Sequence, residues 1–162
     1  MKQISEKEAL NRMAAYCSTT ERCIQDIEKK LSSFDLLPET CQRIISRLVQ
    51  ESFINESRYA TNFTHDKLQF NKWGRIKIEY EMKKKGIPAS IRQKAIEEID
   101  QNLYTEILCT ILKNKKKTIK AKDKREEYYK LLRFAASRGF ESHEINTCLK
   151  GLFKENEYDD ME

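Results

Sequence analysis

The sequence predicts an all-α protein made of three tandem three-helix units, and three observations carry that prediction. Only four glycines and two prolines occur in 162 residues, too few turn-makers for a sheet-rich fold. Apolar residues recur with helical rather than alternating spacing. The chain also repeats itself. Offsets of 51 and then 53 residues align Ile27 with Ile78 and Leu131, Leu31 with Met82 and Ala135, Leu36 with Ile87 and Phe140, Ile45 with Ile96 and Leu149, and Leu48 with Ile99 and Leu152. Every column is apolar, as expected of an array whose neighbours cover each other's apolar faces. The units are expected at 1–52, 53–99 and 100–153, followed by an acidic tail at 154–162. Hydrophobic residues make up 39% and charged ones 35%, enough for three small cores but not for one thick one, so the array should be extended.

Each element has its own local signal. Leu10, Met13, Ala14 and Cys17 keep i, i+3, i+4, i+7 spacing, which predicts a first helix over roughly 5–18. Ser18 and Glu21 imitate a capping box, but the repeat and the stripe Ile24, Ile27, Leu31 place the second helix start near Ile24. Cys41, Ile44, Ile45 and Leu48 define the third. Asn55 is an N-cap for the fourth, with Ile54 and Tyr59 placed as a hydrophobic staple. The fifth carries Ile78 and Met82 and is closed by Gly86, Ile87 and Pro88, since glycine takes the left-handed conformation freely and proline cannot continue the ladder. Ile96 and Ile99 belong to the sixth. Leu103, Ile107, Leu108, Ile111 and Leu112 make the seventh; Leu131 and Ala135 lie on the eighth, closed by Gly139. Ile145, Cys148, Leu149 and Leu152 repeat the third helix's spacing in the ninth. Asp35 aligns with Gly86 and Gly139, so the same left-handed stop is expected three times.

Charge is uneven along this scaffold. Residues 67–85 carry seven Lys/Arg against two carboxylates, and residues 113–133 carry ten against three. The whole chain is only +5, because acidic segments offset them. Lysine-rich helix faces commonly serve solubility, but two basic regions also suit a surface that meets phosphate or an acidic protein. The candidate contacts are Lys72, Arg75, Lys77, Lys83 and Lys84, with Lys115, Lys116 and Lys117 as a second patch. Only Ile119 and Ala121 are apolar within 113–125, so that run reads as a mobile connection rather than a packed helix. Trp73 beside Gly74 reads as a core anchor, with the glycine letting a helix end approach closely, in preference to a stacking platform for a nucleic-acid base. Ile76 and Tyr80 form a second stripe, opposite the core columns, for a neighbouring unit or a partner to cover.

Other chemistries find little support. The chain has no GxxxxGK loop and no glycine-rich dinucleotide turn, and His65 and His143 stand apart without zinc spacing. Glu97, Glu98 and Asp100 form a lone acidic cluster at a helix end. No catalytic residue, cofactor or metal is expected. The start MKQISEKEALNRM has no signal-peptide core and no long apolar run exists, which predicts a cytoplasmic protein. Five cysteines without CxxC spacing read, in a reducing compartment, as small apolar residues, Cys148 sharing a column with Ile44 and Ala95.

The stretch 53–88 resembles the RecX family of recombination regulators. The resemblance lies in Phe53, Ile54, Asn55, Glu56, Arg58, Tyr59 and Ala60, then Asp66, Lys67 and Phe70, the pair Trp73 and Gly74, and the closing Lys85, Gly86 and Ile87. It extends to Tyr16, Glu21, Lys30 and Leu31 and to the segment 131–140, covering roughly residues 5–153. Cys23 stands where the family usually has a capping serine, and Asn55 where aspartate is commoner. The repeat predicts a monomer. The resemblance implies an elongated, curved array, with double-stranded DNA as a further partner, lying in the groove of the RecA filament on single-stranded DNA. There it would limit filament extension or promote disassembly, damping ATP hydrolysis, strand exchange and repressor cleavage. A basic DNA-binding module acting without RecA, and a helical adaptor for another acidic partner, are the alternatives.

Overall fold

Helix boundaries follow the local signals. The computed structural model describes residues 3–160, with side chains through Lys154. Among the described residues there are nine helices: α1 (Glu6–Thr19), α2 (Ile24–Leu31), α3 (Pro38–Gln50), α4 (Glu56–Gln69), α5 (Arg75–Lys84), α6 (Ala89–Glu97), α7 (Gln101–Lys116), α8 (Lys124–Ser137) and α9 (Ser142–Asp160). The side chains of the acidic tail from 155 onward lie outside the described residues. Ser18 caps nothing; its hydroxyl donates to the Ala14 carbonyl inside α1. α2 starts at Ile24 as the repeat requires, with Cys23 at its N-cap donating its N–H to Asp26 Oδ2 at 3.2 Å. Asp100, from the acidic cluster, caps α7 by accepting the Asn102 N–H.

Asn55 caps α4: its Oδ1 accepts the Arg58 N–H at 3.0 Å, and both staple residues, Ile54 and Tyr59, are buried. Replacing Asn55 with alanine should cost about 1 kcal/mol, whereas Asn55→Asp should keep most of it. Urea unfolding of the two variants tests this, and equal midpoints for alanine and parent would rule the cap out.

Of the three aligned positions, two build the left-handed stop. At Gly86 (φ 77°) and Gly139 (φ 93°) the backbone makes the same two bonds: Gly86 N–H to Lys83 O with Ile87 N–H to Met82 O, and Gly139 N–H to Ala136 O with Phe140 N–H to Ala135 O. These are Schellman turns. Asp35 does not have a positive φ. There α2 ends in successive tight bonds from Ser33 to Lys30 O and from Phe34 to Leu31 O. Phe34 is buried in the core and Leu36 packs against it, so this turn closes the core without a reversed residue.

The chain divides into two compact units: residues 1–63 with 82–95, and 64–81 with 96–162. In the first, α1, α2 and α3 enclose Ala9, Met13, Cys17, Ile27, Leu31, Ile44, Ile45 and Leu48. In the second, α7, α8 and α9 pack on one another around Tyr104, Leu108, Leu112, Leu131, Ala135, Phe140, Ile145 and Leu149. The first two repeat columns and the Ile44, Ala95, Cys148 column are buried throughout. Ile96, Ile99 and Leu152, by contrast, are only half-buried.

Two expectations are corrected here. Residues 113–116 are not a connection but the last turn of α7, and α8 begins at Lys124. Lysine is a good helix former, and its alkyl stem covers apolar surface while the ammonium stays wet. Lys116 thus reaches Glu127 at 2.5 Å and sits 4.9 Å from the Phe153 ring centroid. Nor are all five cysteines simple fillers: Cys109 on α7 and Cys148 on α9 are joined as a disulfide. Cys17, Cys23 and Cys41 are free; burial pushes the Cys17 thiol up and the Cys23 thiol up to about 11. Among the described residues no helix is long and apolar enough to cross a membrane.

Candidate partner-binding surface

Each compact unit contains a junction where the end of one helix meets the start of another. In the first unit, the last carbonyls of α5 are orphans of the helical ladder, and side chains at the start of α2 reach them. Gln25 Nε2 donates to Lys84 O at 3.1 Å and Cys23 Sγ approaches Lys85 O at 3.8 Å. Lys85 then pairs with Asp26 at 2.9 Å. Burial would raise the Asp26 carboxyl, but hydrogen bonds from Lys85 and from the Cys23 backbone outweigh it and hold it below the usual range. The hydrogen bond to Asp26 in turn raises the Lys85 ammonium. Nearby, Arg58 donates to Glu21 and to the Ser52 carbonyl, and Glu56 accepts the Ile24 N–H. Glu21, Glu56, Arg58, Lys85 and Gly86 therefore build the fold.

In the second unit the turn after α8 meets the start of α5. The Gly74 N–H donates to Arg138 O at 2.8 Å and the Ile76 N–H to Gly139 O at 3.0 Å, so carbonyls from one helix end satisfy donors of another. The two backbones touch. A Cβ on Gly74 would lie 2.4 Å from Gly139 O, and one on Gly139 would lie 2.3 Å from Lys77 Cβ. The close approach expected of Gly74 is present. Trp73 beside it is half-buried rather than a core residue, with Lys67 Nζ and Lys77 Nζ 4.9 and 4.7 Å from its ring centroid.

Arg75 occupies the heart of this junction. Its guanidinium donates to Glu141 at 2.8 Å and Gln101 at 2.7 Å, lies 3.8 Å from the Tyr104 ring centroid, and is only 19% exposed. The Tyr104 hydroxyl accepts the Arg75 N–H at 3.0 Å and donates to Glu141. Burial and the bond to Glu141 push the Tyr104 phenol far up. For Glu141, burial works upward, but hydrogen bonds from Tyr104 and Arg75 prevail and hold its carboxyl below the usual range. These contacts build Arg75 into the packing, so its charge cannot be reversed at little cost to the fold.

The remaining candidates divide by surroundings. Lys83 and Lys84 are exposed at the end of α5, in the first unit. In the second, Lys72 holds a left-handed backbone (φ 58°) and donates to Gln69 O, and Lys77 faces Trp73. Lys115 lies 5.2 Å from the Phe134 ring centroid, Lys116 pairs with Glu127, and Lys117 is exposed at the α7 C-cap. Phe70, 77% exposed, was not singled out as a surface residue from sequence. Ile76 and Tyr80 remain 57% and 60% exposed, so within the chain that stripe stays largely uncovered. An exposed phenylalanine next to a basic turn is a feature of binding surfaces, where aromatic anchors dominate.

Comparison with known proteins adds independent findings. Residues 55–96 match the family model described as the RecX second three-helix domain, and residues 103–149 the RecX third three-helix domain, together more than half of the chain. The regulatory protein RecX of Prosthecochloris aestuarii is 28% identical over 152 residues, spanning 94% of this chain and 98% of that one. The RecX proteins of Clostridioides difficile and Clostridium tetani are 27% and 31% identical, spanning 93% and 82% of this chain and 71% and 60% of theirs. Among solved structures, RecX from Lactobacillus salivarius superposes with a TM-score of 0.81 at 23% identity, covering 91% of this chain and 96% of that one. A second regulatory protein RecX gives 0.82 at 21% identity, covering 90% and 71%.

Proposed function

The chain belongs to the RecX family of regulatory proteins, and from that premise we propose that it binds the RecA filament on single-stranded DNA and restrains its recombinase, ATPase and coprotease activities. It acts by binding, as a monomer, without catalysis of its own. Units at 1–52, 53–99 and 100–153 give it three modules with which to meet successive protomers, and the matches at 55–96 and 103–149 support the second and third. The observation that carries the reading is the set of lysines outside the apolar columns: Lys83 and Lys84 in the first unit, and Lys77 and Lys117 in the second, which also exposes Phe70. Cationic surfaces of this kind steer association with an acidic filament and make it salt-dependent.

The test adds the protein to preformed RecA filaments on single-stranded DNA and follows ATP turnover, with naked DNA binding measured in parallel at the same salt. Replacing Lys77, Lys83 and Lys84 together with glutamate should weaken inhibition on the order of tenfold and flatten its salt dependence. The triple at Lys115, Lys116 and Lys117 should do less, because the charge of Lys116 is already paired with Glu127. Arg75 is left intact, and circular dichroism controls for folding. If both folded variants inhibit as well as the parent, the lysines are solubility devices. Tight binding to naked DNA with no effect on RecA would favour a DNA-binding module instead.

A further inference from the structure

The second compact unit contains two cysteines, Cys109 and Cys148, and the fold brings them together across 39 residues. They sit on α7 and α9, helices that pack side by side, with a Cα–Cα separation of 5.6 Å, inside the range a disulfide spans without backbone movement. The unit does not depend on the bond for a core, since α7, α8 and α9 already bury Tyr104, Leu108, Leu112, Leu131, Ile145 and Leu149. Cys109 is half-buried and Cys148 buried, so Cys109 is the more accessible residue of the pair. The remaining cysteines, 17, 23 and 41, all belong to the other unit.

We propose that Cys109 and Cys148 form a reversible thiol–disulfide lock between α7 and α9, closed by a peroxide and opened by a dithiol reductant. In the closing step the Cys109 thiolate attacks one peroxide oxygen and the O–O bond breaks, giving a sulfenic acid and, after proton uptake, one water. The Cys148 sulfur, deprotonated as it attacks, then forms the S–S bond, and the sulfenic oxygen leaves as a second water. Two thiols are oxidised and one hydrogen peroxide is reduced to two waters. Opening returns two electrons from a dithiol through a mixed disulfide at the more accessible residue. The buried Cys17 and Cys23 thiols, both pushed up from the ordinary range, hold little thiolate at neutral pH and do not compete.

The lock changes the stability of the unit that holds α7. Closing the loop restricts the unfolded chain, and α7 carries Lys115 and Lys116 in its last turn. Oxidation therefore stabilises the folded unit to which the second basic patch belongs.

The experiment treats reduced full-length protein with hydrogen peroxide, alkylates the remaining thiols, and maps peptides by mass spectrometry. The expected result is one cross-linked pair, Cys109 with Cys148, three alkylated cysteines, and five after dithiol treatment. Thermal melting of the oxidised form should lie on the order of 10 °C above the reduced form, while Cys109→Ala should melt alike in both conditions. Oxidation that leaves five alkylatable thiols in folded protein, or that links other cysteines, overturns the proposal. So does a cross-link that dithiol cannot open. These readouts are independent of any effect on RecA.

Discussion

Alanine at Gly74 or Gly139 should destabilise the protein by about 3 kcal/mol or more, the largest effect expected of any conservative substitution in the chain. At Gly74 the added methyl meets the Gly139 carbonyl oxygen at 2.4 Å, and at Gly139 it meets the Lys77 backbone nitrogen at 2.6 Å. Neither neighbour is a flexible side-chain end that can swing away, and overpacking alone commonly costs 1–3 kcal/mol. Gly139 adds the penalty of a left-handed backbone, about 1–2 kcal/mol for a residue with a Cβ. The other two glycines are internal controls. Gly86 also has positive φ, but the nearest atom to an added Cβ is Gln25 Nε2 at 3.8 Å, so its alanine variant should lose only about 1–2 kcal/mol. Gly151 lies inside α9 with nothing within 4 Å, and alanine there should stabilise by up to about 1 kcal/mol. Urea unfolding of the four variants should rank Gly74 and Gly139 as most damaged, then Gly86, with Gly151 improved. A Gly74→Ala variant no weaker than Gly86→Ala would mean the α5 and α8 backbones do not meet as described.

This ordering shows what the sequence could and could not disclose. The left-handed stops at Gly86 and Gly139 were legible because a glycine followed by an apolar residue at the end of an apolar stripe has a local cause. Asn55 was legible for the same reason. The columns Ile27, Ile78, Leu131 and Leu31, Met82, Ala135 came from repetition, which reports tertiary packing without a structure. Asp35 misled because alignment position alone implied a turn type, whereas Phe34, one residue earlier, had the bulk to close the core by another route.

Long-range pairings were a different matter. Arg75 looks in sequence like one more cation in a basic run, and its partners Gln101, Tyr104 and Glu141 lie 26, 29 and 66 residues away. Lys116 was hidden likewise, since Glu127 comes within reach only once α7 and α8 pack. For Cys109 and Cys148, five cysteines offer many pairings and no spacing rule selects one. Within a basic run, therefore, some cations also hold the fold together, and only a structure separates them from those left facing solvent.

Arg75→Gln should cost about 2–4 kcal/mol, in contrast to an exposed lysine on the same helix, whose replacement should stay within about 0.5 kcal/mol. Removing the guanidinium leaves Glu141 partly buried with the Tyr104 hydroxyl but without its charged donor, and leaves Gln101 Oε1 without its partner at 2.7 Å. Tyr104→Phe should cost about 1–3 kcal/mol, because the Arg75 N–H and the Glu141 carboxylate each lose a bond in a site where water cannot fully replace it. The double variant should lose less than the sum, since all three groups act on one another. The acid limb supplies a second readout. Glu141 is held below its ordinary value in the folded state, so its contribution is present above the unfolded pKa of about 4.3 and disappears as pH falls through the depressed folded value. In Arg75→Gln that depression shrinks, and the loss of stability below about pH 4.5 should be shallower than in the parent. Unfolding curves between pH 7 and pH 3 test both claims. An Arg75→Gln protein with the parent's midpoint at neutral pH and the parent's acid slope would return Arg75 to the list of cations available to a partner.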